Sequence, residues 1–210
     1  MEYSDLGAGF QIAMSDLQIR GGGAALGSSQ SGHIAAVGYE MFLDLMEHAM
    51  SEINGEPAKE ELEPEININL SSYFSEDYIP AIDQRLMLYK RLSGVTELKE
   101  LSDIKEELVD RYGEVPEEAQ NILLKIMLKI MAIKAGIKRL DISAQQMQVY
   151  FSERHQKNPQ GIINLVAPEP DRFQLSPECV LKVKLPKGSM TMVVSHSKKV
   201  LKEIAQHVNG

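Results

Sequence analysis

The sequence lacks the residues that most often build disulfides and metal centres. It has one cysteine, Cys179, and five histidines among 210 residues. A single cysteine excludes an intrachain disulfide, and the cysteine and histidines show no spacing typical of metal ligands. We therefore predict a protein of a reducing compartment with no metal site.

The chain also lacks a segment that would cross a membrane or direct secretion. No apolar run approaches the ~20 residues that a helix needs to span a bilayer. A secretory signal would carry positive charge near its start, where this chain has Glu2 and Asp5. The sequence therefore predicts a cytoplasmic protein without membrane contact.

Positive charge is scarce, because 22 lysine and arginine residues stand against 30 acidic ones, for a net charge of −8. Sequence-independent binding to nucleic acid relies on lysine and arginine displacing counterions from phosphates. The whole protein is therefore not expected to clamp nucleic acid, and any such contact must be local. Its length and an apolar content of 43% suffice for one sizeable domain, or a domain with an appendage.

Converging catalytic groups are absent as well. The consecutive pairs Glu106–Glu107 and Glu117–Glu118 lie in predicted helices, where neighbouring side chains diverge by about 100° and cannot form an acid/base couple. No local feature lowers the pKa of the Cys179 thiol. The histidines stand far apart, and the methionines are typical of core packing. We predict no catalytic residue in this chain.

A glycine-rich stretch, "DLQIRGGGAALGSSQSGH", runs from Asp16 to His33. From Gly22 it matches the phosphate-loop pattern G-x-x-x-x-G-K-[ST] except that Ser28 replaces the lysine. A phosphate loop also needs a buried strand before it, whereas the preceding "GFQIAMSDLQIRG" has helical spacing. We therefore predict that this stretch does not bind a nucleotide.

Composition divides the chain near residue 62. The glycine-rich stretch leads into "IAAVGYEMFLDLMEHAMSEI", which has the spacing of an amphipathic helix. The acidic segment "NGEPAKEELEPE" follows, with two prolines and no apolar periodicity, and is typical of a solvated connector. We predict a hairpin, helix and linker over residues 1–62 and a compact domain over residues 63–210.

The second part has the pattern of an α+β domain. A strand is predicted at "EININL", followed by helices at "DYIPAIDQRLMLYKRL", with Pro80 in the first turn, at "TELKELSDIKEELVDRYG" and at "VPEEAQNILLKIMLKIMAIKAG". Further strands are predicted at "IKRLDIS", "MQVYFSE", "CVLKVKLP" and "SMTMVVS", before a basic helix over 197–208. The expected fold is a small, mainly antiparallel sheet packed against helices.

Several of these segments resemble one family. "GFQIAMSDLQIRGGG", "LGSSQSGH" and "VGYEMFLDLM" resemble the segment that follows the second motor domain of bacterial transcription-repair coupling factors. A related stretch occurs in the branch-migrating recombination helicase. "DYIPAIDQRLMLYKRL" and "LVDRYGEVPEEAQNILLK" are similar to the C-terminal domain of the coupling factors, which that helicase lacks. The resemblance covers about residues 4–150.

The resemblance implies that the glycine-rich stretch is a translocation motif, which couples ATP hydrolysis to movement along duplex DNA. Its key arginine and glutamine correspond to Arg20 and Gln30, and the full coupling set is Asp16, Arg20, Gly21, Gly23, Gln30 and His33. Adjacent glycines allow a sharp turn beside the always-charged Arg20. Without the resemblance, Asp16 and Arg20 would read as a surface ion pair worth a few tenths of a kcal/mol.

The family's motor motifs are absent from this sequence, so the chain alone is not expected to be an enzyme or to bind a cofactor. ATP and Mg²⁺ would belong to a full-length parent, whose motor we expect to be encoded upstream. The resemblance implies that the second domain is an autoinhibitory lid on the parent's N-terminal damage-factor-binding module, where it masks the surface that recruits UvrA. Duplex DNA, RNA polymerase and UvrA would be partners only through that parent. The alternative is a free-standing protein-interaction module without a motor.

Overall fold

A computed structural model describes residues 38–39, 42–43, 64–153, 156 and 159–208. Within these residues the chain forms five strands and five helices. In chain order they are β1 (Glu65–Ile68), α1 (Ile82–Ser93), α2 (Leu98–Tyr112), α3 (Glu117–Lys134), β2 (Ile137–Ile142), β3 (Gln146–Phe151), α4 (Gln160–Val166), β4 (Phe173–Leu175), β5 (Val180–Lys184) and α5 (Met190–Val208).

The five strands form one sheet in the order β1-β2-β3-β5-β4. β1 pairs with β2 in parallel, and the other three pairings are antiparallel. The register slips between Ile137 and Arg139, where β2 carries an irregularity. The predicted α+β class, with a mainly antiparallel sheet and helices, is confirmed.

The chain divides into two compact units. Among the described residues, unit 1 contains 38–39, 42–43, 71–94 and 106–122, and unit 2 contains 64–70, 95–105 and those from 123 onward. The predicted boundary after residue 62 lies outside the described residues and stays a prediction.

Unit 2 holds the sheet and its core. Alternate residues of β3, Met147, Val149 and Phe151, are fully buried, whereas the residues between them are half-buried. This alternation indicates a sheet with one covered face. The covered face packs in a cluster with α5, whose buried residues Val193 and Val200 belong to the same core.

Aromatic side chains form the core of unit 1. The ring centroid of Tyr89 on α1 lies 5.9 Å from that of Tyr39, 5.5 Å from that of Phe42 and 5.1 Å from that of Phe74. The Tyr89 hydroxyl accepts a hydrogen bond of 2.7 Å from the Phe74 backbone N–H. The Tyr39 backbone N–H donates to the Ser72 carbonyl over 3.0 Å. Residues of the predicted amphipathic helix are thus packed into this unit.

Two predicted boundaries are wrong. The strand predicted at "SMTMVVS" is the first part of α5, which begins at Met190, and not at residue 197 as predicted. The helix predicted to hold Pro80 in its first turn begins only at Ile82. The guanidinium of Arg85 explains this second difference, because its Nη1 donates to the carbonyls of Ile79 and Pro80 and holds them outside the helix.

Candidate interaction surface

The translocation-coupling residues predicted from the resemblance are Asp16, Arg20, Gly21, Gly23, Gln30 and His33. All six lie outside the described residues, and their role stays a prediction. The described part of the chain carries other clusters of charged and exposed side chains, and one of them joins α1 to α2.

Two arginines hold one carboxylate at this junction. Arg91 on α1 donates to both oxygens of Glu107 on α2, with Nη1–Oε1 and Nη2–Oε2 distances of 2.9 and 2.7 Å. Arg111, one turn further along α2, donates from Nη1 to Glu107 Oε1 over 2.8 Å. A two-pronged arginine–carboxylate pair fixes both distance and orientation, so the three charges form a rigid group.

The two arginines change the acidity of the carboxyl group. Hydrogen bonds from Arg91 and then Arg111 lower the pKa of Glu107 from 4.5 to about 2. The same hydrogen bond raises the pKa of Arg91. The group therefore keeps its charges at every physiological pH.

An exposed methionine lies next to these charges. Met87 is the most exposed of the described large hydrophobic side chains, with 61% of its surface accessible. It precedes Arg91 by four residues on α1, which places both on one face of the helix. We call Met87, Arg91, Glu107 and Arg111 the α1–α2 surface.

Hydroxyl groups tie α1 and its preceding loop to α2. The Tyr112 hydroxyl on α2 lies 3.0 Å from Gln84 Oε1 on α1. The Tyr78 hydroxyl donates to the Leu108 carbonyl over 3.2 Å. These bonds hold the α1–α2 surface in place without help from a partner. Burial raises the pKa of Tyr78, so this donor stays protonated.

The second charged cluster lies on the less covered face of the sheet. Paired positions on successive strands place Asn67, Asp141, Gln148, Lys182 and Gln174 in one row across all five strands. Asn67 donates to Asp141 over 2.8 Å. Burial alone would raise the pKa of Asp141, but hydrogen bonds from Arg139 and Asn67 hold it below its ordinary value. The row is an internally bonded polar surface.

The remaining candidate groups show no catalytic arrangement. Burial raises the pKa of the Cys179 thiol, so the thiol is not activated as a nucleophile. Among the described residues, no group of three or more histidine, cysteine, aspartate or glutamate side chains is arranged to hold a metal ion. Of the helices that the structure describes, none combines the length and apolar character needed to cross a membrane.

Comparison with known proteins shows that the chain is similar to one family. The family model described as the TRCF domain matches residues 68–162. Residues 68–162 belong to the TRCF domain family. It is 34% identical over 204 residues to the transcription-repair-coupling factor of Myxococcus xanthus, covering 97% of this chain and 17% of that protein. It is 35% identical over 183 residues to the Escherichia coli K12 protein of the same name, covering 85% of this chain and 16% of that relative.

A solved structure confirms the fold of the TRCF part. The crystal structure of the C-terminal domain of transcription-repair coupling factor superposes with a TM-score of 0.53 at 17% identity. The match covers 69% of this chain and 94% of the solved one. The chain thus spans only a small part of the two relatives but nearly all of the solved C-terminal domain.

Sequence reasoning missed the α1–α2 surface for a definite reason. From the sequence, Glu107 is considered only beside Glu106 in a predicted helix, although its spacing of four residues to Arg111 is a visible signal. Arg91 lies 16 residues before Glu107. Arg91 and Glu107 meet only because the chain turns between α1 and α2. A contact of this kind cannot be predicted from the local sequence pattern.

Proposed function

We propose that this chain is the coupling and regulatory part of a cytoplasmic DNA translocase that links transcription to nucleotide excision repair. The observation that carries the proposal is the similarity of 97% of the chain to a transcription-repair-coupling factor. Residues from about 65 onward act as an autoinhibitory lid, and the glycine-rich stretch couples a motor to movement on duplex DNA. RNA polymerase, UvrA and the duplex DNA along which the motor moves are reached through the full-length parent.

The α1–α2 surface has the properties that a releasable lid needs. Interdomain contacts within one chain typically bury about 600–1,500 Å² of mixed polarity. Met87 supplies an apolar contact, and the charges of Arg91, Glu107 and Arg111 are already fixed before docking, so little side-chain entropy is lost. A tether within one chain gives an effective concentration near the millimolar range, so a micromolar contact stays mostly closed. We place the contact with the N-terminal damage-factor-binding module here.

The lid is tested in the full-length parent by measuring its affinity for UvrA. Deleting residues 65–210 should strengthen UvrA binding, because the masking contact is lost. Met87→Glu should strengthen UvrA binding to a smaller extent, because it places a charge in the apolar contact. Met192→Glu on α5 is the matched control, since Met192 is similarly exposed, at 53%, but lies outside the α1–α2 surface. If the deleted parent bound UvrA no better than the intact one, the lid would be ruled out.

The coupling role is tested separately. Arg20→Ala or Gln30→Ala in the parent should leave ATP hydrolysis largely intact while stopping displacement of a DNA triplex. Equal loss of both activities would point to a structural role, and unchanged triplex displacement would remove the assignment.

The chain on its own is proposed to bind no cofactor and to have no ATPase activity, with ATP and Mg²⁺ acting only in the parent. A phosphate loop needs a lysine for the terminal phosphates, and Ser28 stands at that position. The purified chain should release no phosphate from ATP with or without DNA. Turnover that is abolished by changing Ser28 would contradict this.

A further inference from the structure

Charge is unevenly distributed along this acidic chain, and basic residues are concentrated towards its end. Residues 123–210 contain 14 of the 22 lysine and arginine residues but only 6 of the 30 acidic ones. Their net charge is therefore +8 in a chain whose total is −8. A local excess of this size attracts polyanions even when the whole protein is acidic.

Helix α5 concentrates part of this charge on one face. Its buried residues are Val193, Val194, Ser197, Val200, Leu201 and Ile204, which line the side packed on the core. The opposite side exposes Thr191, Ser195, Lys199, Lys202 and Gln206. These five follow one another at intervals of four, four, three and four residues, so they form a single stripe along the helix. We call them the donor stripe.

The donor stripe contains no acidic residue. The one carboxylate of α5, Glu203, lies beside the stripe and accepts a hydrogen bond of 2.7 Å from Arg172. Neither Lys199 nor Lys202 forms an ion pair with any part of the chain that the structure describes. The two ammonium groups thus remain available to an external anion.

The side chains of the donor stripe match one kind of ligand. Hydroxyl, ammonium and amide groups all donate hydrogen bonds, and these residue types make the backbone contacts of DNA-binding proteins. From Thr191 to Gln206 the stripe is about 22 Å long at 1.5 Å per residue, which is roughly the length of six base pairs of duplex. Protein–protein interfaces instead favour aromatic and arginine anchors and are depleted in lysine. We infer that the donor stripe is a sequence-independent contact for the backbone phosphates of duplex DNA.

This inference goes beyond the lid and coupling roles, and its test uses the 210-residue chain alone. Binding is measured by fluorescence anisotropy on a labelled duplex of about 20 base pairs over a range of KCl concentrations. Because each neutralised phosphate contributes about 0.9 to the slope of log K against log salt, Lys199→Gln with Lys202→Gln should reduce that slope by about 1.8. At about 50 mM KCl the loss of affinity should be roughly tenfold or more.

Two further variants separate a phosphate contact from a general effect of charge. Lys99→Gln with Lys105→Gln removes the same charge from exposed positions on α2 and should leave binding nearly unchanged. Ser195→Ala with Gln206→Ala removes neutral donors, so it should weaken binding while leaving the salt slope unaltered. Circular dichroism should show that every variant keeps its helix content, since all six positions are exposed.

Each opposing outcome overturns the inference. If the chain did not bind the duplex at low salt, the inference would be wrong. It would also be wrong if the α2 and α5 lysine variants lost equal affinity for the duplex. A labelled acidic peptide that bound as tightly as the duplex, with the same sensitivity to Ser195→Ala and Gln206→Ala, would assign the donor stripe to an acidic protein. The UvrA measurement on the parent is unaffected by any of these results, so the lid is judged independently.

Discussion

Replacing Gly161 with alanine should destabilise unit 2 through a backbone collision. Gly161 lies at the start of α4, against the C-terminal end of α5. A Cβ at this position would overlap the carbonyl oxygen of His207, and it would stand 3.1 Å from the His207 carbonyl carbon and 3.2 Å from the Val208 Cα. All three are backbone atoms, which cannot rotate away. α4 would have to shift, carrying the buried Ile162 and Leu165 out of their packing.

Overpacking of this kind costs about 1–3 kcal/mol, and the better helix propensity of alanine offsets at most about 1 kcal/mol of it. We expect a net cost of about 1–2 kcal/mol, which at a typical urea dependence of about 2 kcal/mol/M should lower the urea midpoint by roughly 0.5–1 M. Far-ultraviolet circular dichroism in a urea titration measures it.

Two other glycines serve as controls for Gly161→Ala. Gly94 has room for a Cβ, whose nearest neighbour would be the Arg91 carbonyl oxygen at 3.8 Å, so Gly94→Ala should be neutral or slightly stabilising. Gly113 has a φ of +83° and no neighbour within 4 Å, so Gly113→Ala should cost about 1–2 kcal/mol from backbone strain alone. If Gly161→Ala were as stable as Gly94→Ala, the close contact between α4 and α5 would be refuted.

Three further predictions concern Cys179, Arg85 and Glu107. Cys179 has a φ of 60° in the turn before β5, so Cys179→Gly should raise the free energy of unfolding by up to about 1 kcal/mol in a urea titration, whereas Cys179→Val should lower it. Arg85→Met keeps bulk but leaves the carbonyls of Ile79 and Pro80 without their donor, so thermal or urea unfolding should show a loss of about 2–3 kcal/mol, with Arg85→Lys intermediate. Because the folded-state pKa of Glu107 is about 2 and its ordinary value 4.5, the carboxylate stabilises the fold fully above pH 4.5 and loses this effect as the pH falls towards 2. An NMR titration of Glu107 with a midpoint near 4 would contradict the ion-pair geometry.

Most of the fold could be predicted from the sequence because the apolar residues of most helices and strands recur at a regular spacing. This spacing is visible within a short segment of the chain. The exception at "SMTMVVS" is instructive. Seven residues containing Val193 and Val194 favour a strand by composition. The helical period becomes visible only when Val200, Leu201 and Ile204 are read together with them, since all are buried on one face of α5. The three-residue strand β4 has no pattern of its own and exists through its pairing with β5.

The candidate surfaces were predictable to different degrees. The basic character of residues 197–208 was visible, but the donor stripe was not, because Thr191 and Ser195 were read as part of a strand. The α1–α2 surface depends on the turn that brings Arg91 to Glu107, which no local pattern reports. The buried Arg85 was missed because charged residues are usually exposed, and only the loop carbonyls it serves explain its position.

The docking surface of the lid and the DNA contact lie on different helices, so an experiment can measure whether they act independently. If the α1–α2 surface and the donor stripe act separately, Met87→Glu should alter only the affinity of the parent for UvrA, and Lys199→Gln with Lys202→Gln only its affinity for duplex DNA. The free-energy changes of the combined variant should then add to within about 0.5 kcal/mol. If duplex DNA bound on α5 instead opened the lid, thermodynamic linkage requires that UvrA strengthen DNA binding by the same factor by which DNA strengthens UvrA binding. In that case the lysine variant would abolish both enhancements, and a parent titrated with UvrA at fixed DNA concentrations would show which relation holds.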